Sequence, residues 1–272
     1  MLRIEHLSKT YGDKKAVDDL NLHIAPGEIY GFIGHNGAGK TTTLKSVAGI
    51  LQFDTGEIYI DGRSIRTQPL ECKRSFAYIP DNPDLYDYMT GIKYLNFIAD
   101  IFHISAADRK MRIRKYGDLF ELTNDLAQPI AAYSHGMKQK LAIISAWLHQ
   151  PKLILMDEPF VGLDPKASHL LKGMMREVCD AGGAIFFSTH EHAPVPSALM
   201  TSANACVAWR MTWMFIRRQP SAISPRRPAV PNSSGAKKRL SISFSSLRMA
   251  LSSSHSALES AGLSSQRWYS SM

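Results

Sequence analysis

The chain has 272 residues, enough for one large domain or two small ones with a proper core, and its composition is ordinary at 44% hydrophobic and 21% charged. The net charge of +8 would point to nucleic acid or a membrane surface, but its distribution removes that reading. Residues 191–272 hold ten Lys and Arg against two acids, Glu191 and Glu259, while residues 1–190 hold 22 of each sign and are neutral. Three cysteines without paired spacing (Cys72, Cys179, Cys206) exclude a disulfide framework or a zinc site and fit a reducing compartment. Glu5 interrupts the N-terminus where a signal peptide needs an apolar run. The longest membrane candidate, Leu199 to Ile216, contains Asn204 and Arg210, and a central Arg costs about 2.5–3.5 kcal/mol in a bilayer, so no spanning helix is expected.

Along the chain, the first 62 residues read mostly as strands. Leu20, Leu22 and Ile24 alternate before a Pro26-Gly27 turn, Ile29 to Ile33 is a short apolar run, and Ile58 and Ile60 alternate between Gly56 and Gly62. One helix interrupts them, with Leu44, Val47, Ala48 and Leu51 on a face. Residues 84–150 turn helical. Thr90 is an N-cap candidate for a helix burying Ile92, Leu95, Ile98, Ala99 and Phe102, a second helix ends near Leu119, Phe120 and Leu122, and a third begins at Ser134 and stops before Pro151. Strand character returns at Leu153 to Met156 and at Ala184 to Phe187. Strands alternating with helices predict an α/β fold with a mostly parallel sheet, N-terminal antiparallel strands and an inserted helical subdomain at about 84–150.

Gly34-His35-Asn36-Gly37-Ala38-Gly39-Lys40-Thr41 fits the phosphate-loop pattern in full, with an apolar strand before it and an amphipathic helix after it. Glycines let the backbone curl so that N–H groups point inward at phosphate oxygens, and the helix N-terminus adds positive potential. Lys40 would reach the terminal phosphates, and Thr41, followed by Thr42, would offer a hydroxyl to Mg²⁺. Leu153-Ile154-Leu155-Met156-Asp157-Glu158 reads as a buried parallel strand that delivers two acids to the sheet's C-terminal edge, where ligands bind. Asp157 would hold Mg²⁺ and Glu158 would act as general base toward water.

These two motifs fit many nucleotide hydrolases; the discriminating residues lie at Tyr133-Ser134-His135-Gly136-Met137, which opens the helix leading into the acidic strand. Here the chain resembles the ATP-binding cassette (ABC) family of transporter ATPases, whose motif at this point is Leu-Ser-Gly-Gly-Gln. Ser134 and Gly136 are kept, and Tyr133, His135 and Met137 depart from it. The resemblance covers about residues 2–190. It implies an adenine-stacking role for Tyr11, a D-loop at Gly162-Leu163-Asp164-Pro165 and a switch histidine at His190 that contacts the γ-phosphate. Asp81 stands where most members carry a Gln that senses Mg²⁺. It further implies ATP and Mg²⁺ as ligands and a head-to-tail dimer in which Ser134 and Gly136 cover the nucleotide of the second copy. A separate membrane permease, which the cassette would meet peripherally at the cytoplasmic face of the membrane, completes the expected assembly. The Tyr-Ser-His-Gly-Met variant resembles cassettes of bacterial exporters. Two alternatives stand beside this: an ATP-binding module without turnover, and an ABC ATPase acting on nucleic acid or ribosomes, against which the neutral body of the cassette argues.

After His190 the pattern stops. Residues 191–272 contain 19 serines and no sustained period of 2 or 3.6, so they read as a disordered tail. Family members continue there with a helix and strands that finish the sheet edge; neither is legible here. A family match ending at once in Ser/Arg/Pro text reads as a change of reading frame.

Overall fold

The computed structural model describes residues 1–190 and 208–213. Both stretches belong to one compact unit, Met1–Gln219; a second unit, Pro220–Met272, lies outside the described residues.

The strands β1 (Leu2–Tyr11) and β2 (Lys14–Ile24) form an antiparallel hairpin. β3 (Glu28–Ile33) leads into α1 (Lys40–Val47). β4 (Thr55–Ile60) and the short β5 (Arg63–Ser64) return to the hairpin and complete an antiparallel sheet of order β2-β1-β4-β5. α2 (Pro69–Ser75) precedes β6 (Phe76–Ile79), and three helices follow: α3 (Gly91–Ile101), α4 (Ala106–Leu119) and α5 (His135–Trp147). β7 (Leu153–Met156), α6 (Pro165–Asp180), β8 (Ala184–Thr189) and β9 (Ala208–Trp213) complete the described fold. The second sheet is parallel throughout, in the order β6-β7-β8-β3-β9.

Every residue of β7 and β8 is buried, which is what covering a parallel sheet on both faces requires. Alternation divides their side chains between two cores. Leu153, Leu155, Ala184 and Phe186 pack with Tyr30, Phe32 and the α1 residues Leu44 and Val47. Ile154, Met156, Ile185 and Phe187 pack with Leu95, Ile113, Leu141, Ile144 and Leu171 from the helices. The predicted α/β architecture, antiparallel N-terminal strands and helical block are all present. Thr90 caps α3 and Ser134 caps α5, as their positions predict.

Two expectations are corrected, and three elements are added to those read from the sequence. The first helix was expected to include Leu51, but α1 ends at Val47 because Gly49 takes φ 64, and Ile50 is left 62% exposed. Sequence reading missed three elements: α2 and β6 are short, but α6 carries Ala167, Leu171, Met174 and Met175 at helical spacing on one buried face, a signal that was available. Finally, the tail expected to lack strands contributes β9, which pairs in parallel with β3 from Glu28↔Ala208 to Ile33↔Trp213. A ladder asks mainly for backbone N–H and C=O groups and β-tolerant residues, and Trp209, Thr212 and Trp213 meet that condition. The rest of the tail, 191–207 and 214–272, lies outside the described residues, so disorder there remains an expectation.

At the far end of α5, the His149 ring stacks on Phe102 with centroids 3.7 Å apart and an 8° tilt, and Nε2 donates to the Phe76 carbonyl at 3.3 Å. Burial pulls the His149 pKa down from 6.5 to about 4. The unfolded chain therefore takes up this proton first. Stability is expected to fall as pH drops through 6.5 toward 4, by roughly 3 kcal/mol for the whole shift. Urea denaturation at neutral pH and near pH 4.5 checks this: His149→Phe, which keeps a ring for the stack, should flatten the acid limb.

Candidate nucleotide site

The phosphate loop leaves the C-terminal end of β3 and closes on α1. Gly37 and Gly39 hold φ 80 and φ 82, where a side chain is strained. Gly39 has a second constraint, since a Cβ there would stand 2.2 Å from the Ala16 carbonyl oxygen. Lys40 is 6% exposed, and its ammonium donates to the carbonyls of Gly34 at 2.7 Å and His35 at 3.2 Å. The charge is thus held inside the loop rather than spread into solvent. Thr43 Oγ1 donates to Gly39 O at 2.9 Å and fixes the first turn of α1.

Two acids meet this loop from the end of β7. Asp157 is fully buried; the Ser188 hydroxyl donates to its Oδ1, while Oδ2 has no partner. An unpartnered buried carboxylate oxygen is costly, and a cation is the group it fits. Glu158 holds φ 50, an uncommon conformation for a non-glycine residue. That turn brings Oε1 to 3.2 Å from His190 Nε2 and 3.8 Å from Lys40 Nζ. The Glu158 N–H donates to Ser188 Oγ at 3.1 Å. Burial raises the Glu158 carboxyl above its ordinary range, and the nearby His190 and Lys40 charges oppose that rise.

A cleft of about 310 Å³ joins the loop to Glu158 and His190, while Asp157, fully buried, does not line it. Of the sequence-predicted residues, Tyr11, Asn36, Gly37, Ala38, Gly39, Lys40, Thr41 and Thr42 line it, together with Asp81, Glu158 and His190. Tyr11 is half-exposed, with the Lys9 ammonium 5.5 Å from its ring centroid. Gly34 and His35 do not line the cleft; their carbonyls accept from the Lys40 ammonium.

Ser134, Gly136 and Asp164 do not line the cleft. Ser134 accepts from the Met137 N–H at 3.2 Å. A Cβ on Gly136 would lie 2.7 Å from Gly162 O, so the turn before α5 packs directly on the loop before α6. Asp164 caps α6, accepting from the Ala167 N–H at 2.7 Å, and pairs with Lys140 of α5 at 2.8 Å. That Lys140 bond holds the Asp164 carboxyl below the usual range. Asp164→Ala is expected to cost about 1 kcal/mol in urea melts, the usual worth of an N-cap.

Sequence reading missed Lys14 and Ala16, which line the cleft from β2, and Lys140. It noted Ser188 only as a strand-end residue. A hydroxyl in an otherwise apolar buried strand was the available signal for Ser188; Lys14 had none.

The arrangement is a phosphate cradle with a buried cation, an unpartnered carboxylate oxygen and a second acid beside a histidine. Comparison with known proteins agrees. The profile of the ABC transporter family matches residues 17–161. The uncharacterized ABC transporter ATP-binding protein YhaQ of Bacillus subtilis is 35% identical over 190 residues, which is 70% of this chain and 63% of YhaQ. The linearmycin resistance ATP-binding protein LnrL of the same organism is 30% identical over 70% of this chain and 61% of its own length. The chain therefore spans less than two thirds of these relatives. A solved structure of the ATP-binding subunit of an ABC transporter superposes with a TM-score of 0.67 at 37% identity, covering 70% of this chain and 80% of that one. With the profile, the relatives and the fold in agreement, this chain belongs to the ABC transporter family, among its ATP-binding subunits.

Proposed function

We propose that this chain binds ATP with Mg²⁺ and hydrolyses it to drive a membrane transporter whose permease is a separate chain. The observation that carries the hydrolytic part is Glu158, a half-buried carboxylate at the lip of the phosphate loop, 3.2 Å from His190 and 3.8 Å from Lys40. A general base for phosphate hydrolysis must stand beside the terminal phosphate and be shielded from bulk water. Glu158 lines the cleft beside Lys40, where that phosphate would lie, and its side chain is 11% exposed, which supports the role.

In this reading Tyr11 offers a ring face to adenine, and the loop N–H groups and Lys40 hold the phosphates. Glu158 takes a proton from a water as that water's oxygen bonds to the γ-phosphorus and the bond to the ADP oxygen breaks. His190 orients the water and meets the γ-phosphate. Asp157, Thr41 and the cleft-lining Asp81 fit Mg²⁺ as oxygen donors, and the unpartnered Asp157 Oδ2 is the observation behind that assignment. When bound, Mg²⁺ supplies neutralising charge to the phosphate oxygens.

Ser134 and Gly136 sit apart from this cleft, against Gly162. That separation supports a head-to-tail homodimer in which they cover the nucleotide of the second copy. ATP then favours the closed pair and hydrolysis the open one. Among the described residues no helix is long and apolar enough to cross a membrane. The chain would sit peripherally on the cytoplasmic face through its permease. The Tyr133 to Met137 variant and the likeness to a resistance protein support export.

The test uses the purified full chain, with ATP binding measured by calorimetry and phosphate release followed with and without Mg²⁺. Binding with Mg²⁺-dependent release supports the proposal, and absence of binding overturns it. Binding without release favours the second reading, a module that no longer turns over. One observation favours that reading: the similarity to YhaQ spans 190 of the 272 residues. We also read residues 191–272 as a changed frame. Sequencing the DNA across His190–Glu191 decides it, since another frame should then continue with a helix and alternating strands.

A further inference from the structure

Tyr78 of β6 pairs with Leu155 of β7, and Leu155 pairs with Phe186 of β8. Partners across a ladder point to one face, and residues two apart on a strand share that face. Asp157, two past Leu155, and Ser188, two past Phe186, therefore lie on the face that carries Tyr78. Packing agrees, because Tyr78, Leu155 and Phe186 all belong to the core shared with α1. At the sheet's C-terminal edge Asp157 and Ser188 stand level on adjacent strands, and Tyr78 lies on the same face one side-chain step before them on the β6 side.

Ser188, on the β8 side, donates to Asp157 Oδ1. The other carboxylate oxygen, Oδ2, is buried without a partner, and the Tyr78 hydroxyl on the β6 side is also buried without a partner. An acceptor and a donor are thus left unsatisfied on adjacent strands, each at the desolvation cost of an unmade hydrogen bond. Such pairs are commonly joined by one buried water. Burial, followed by the charges of Asp157 and Asp81, pushes the Tyr78 phenol upward, so it remains a donor.

We propose that Tyr78 is a positioning residue for the cation site, its hydroxyl donating through a single water to Asp157 Oδ2. The carboxylate is then held between two hydroxyls, Ser188 directly and Tyr78 through the water, and the second lone pair of Oδ2 is left for the cation. Tyr78 touches neither nucleotide nor cation; it acts through Asp157. This rests on the reading that the cleft binds ATP with a divalent cation.

The experiment titrates Mn²⁺ into the full chain with ATP present, reading free Mn²⁺ by electron paramagnetic resonance. Wild type, Tyr78→Phe and Ser188→Ala are compared, and ATP affinity is measured separately in EDTA. Tyr78→Phe keeps the ring, and melting and near-ultraviolet circular dichroism check that it folds. The expected result is Mn²⁺ binding weakened by roughly three- to tenfold, the worth of one water-mediated hydrogen bond, with metal-free ATP affinity unchanged. Ser188→Ala, which removes a direct bond, should lose at least as much. Unchanged Mn²⁺ affinity in folded Tyr78→Phe overturns the proposal, as does an equal loss of metal-free ATP affinity. Should phenylalanine not fold, Tyr78→Met carries the same comparison without a donor. A wild type that binds no ATP overturns the proposed function and this inference together; a wild type that binds while the variant is indifferent overturns only the inference.

Discussion

Glu158→Gln is expected to retain ATP while losing turnover by about 10²–10⁴-fold, the usual contribution of a positioned base. The amide keeps the shape and removes the proton acceptor. Phosphate release and ATP affinity measured on one preparation check it, and a variant hydrolysing at the wild-type rate would remove Glu158 from the proposed role. The pH profile adds an independent reading. Burial raises this carboxyl, with His190 and Lys40 opposing, so turnover should fall as pH drops through a value above the ordinary glutamate range. For stability the sign is opposite to that of a paired acid. A raised carboxyl contributes stability below its unfolded pKa and loses it as pH rises through the folded one. At neutral pH the ionised Glu158 is therefore a burden, and Glu158→Gln should melt no earlier than wild type. A site that costs stability for the sake of chemistry behaves this way.

Gly39→Ala is expected to abolish nucleotide binding and to cost about 2–5 kcal/mol of stability. Two separate effects add. The φ of 82 strains any side chain, and the new Cβ would stand 2.2 Å from the Ala16 carbonyl oxygen, a backbone atom of β2 that cannot rotate away. The phosphate loop must then open, and the Lys40 cradle opens with it. Gly12→Ala is the control, since it shares the positive φ at 56 but its Cβ meets nothing within 4 Å. It should cost only about 1–2 kcal/mol and leave ATP binding intact. Urea denaturation and calorimetric ATP titration of both variants check this. Equal losses would mean that conformation alone, without the contact to Ala16, accounts for the glycine.

Most of the candidate nucleotide site was legible because its chemistry is local. A phosphate cradle needs glycines, a lysine and a hydroxyl within eight consecutive residues, and Gly34 to Thr41 supply them on a strand-loop-helix that short-range forces build. The acids Asp157 and Glu158 were legible for the same reason, at the end of four apolar residues. Thr90 and Ser134 announced their helices because a cap is satisfied within three residues.

What local pattern could not reach was anything held by contacts distant in sequence. Ser188 reached Asp157 only when β8 lay beside β7, and Tyr78 shares their face of the sheet only through the register of β6. Gly39 reads as a loop glycine, yet the atom that enforces it belongs to Ala16, on another sheet. Asp164 reads as a ligand-side residue, whereas its bonds in this chain go to Lys140 and the start of α6. The strand β9 is the clearest case. Nothing periodic marks residues 208–213, and it is the unpaired edge of β3 that makes them a strand, because a ladder recognises backbone groups and barely reads side chains. The sequence by itself determined the glycine-rich loop ahead of α1, the acid pair after β7 and the helix caps, all of which depend on neighbours a few residues away. Only the tertiary structure decided which acid oxygen is left for a cation, which glycine has no room for a methyl group and what covers the edge of β3. Those depend on atoms that meet only after the strands have chosen their order.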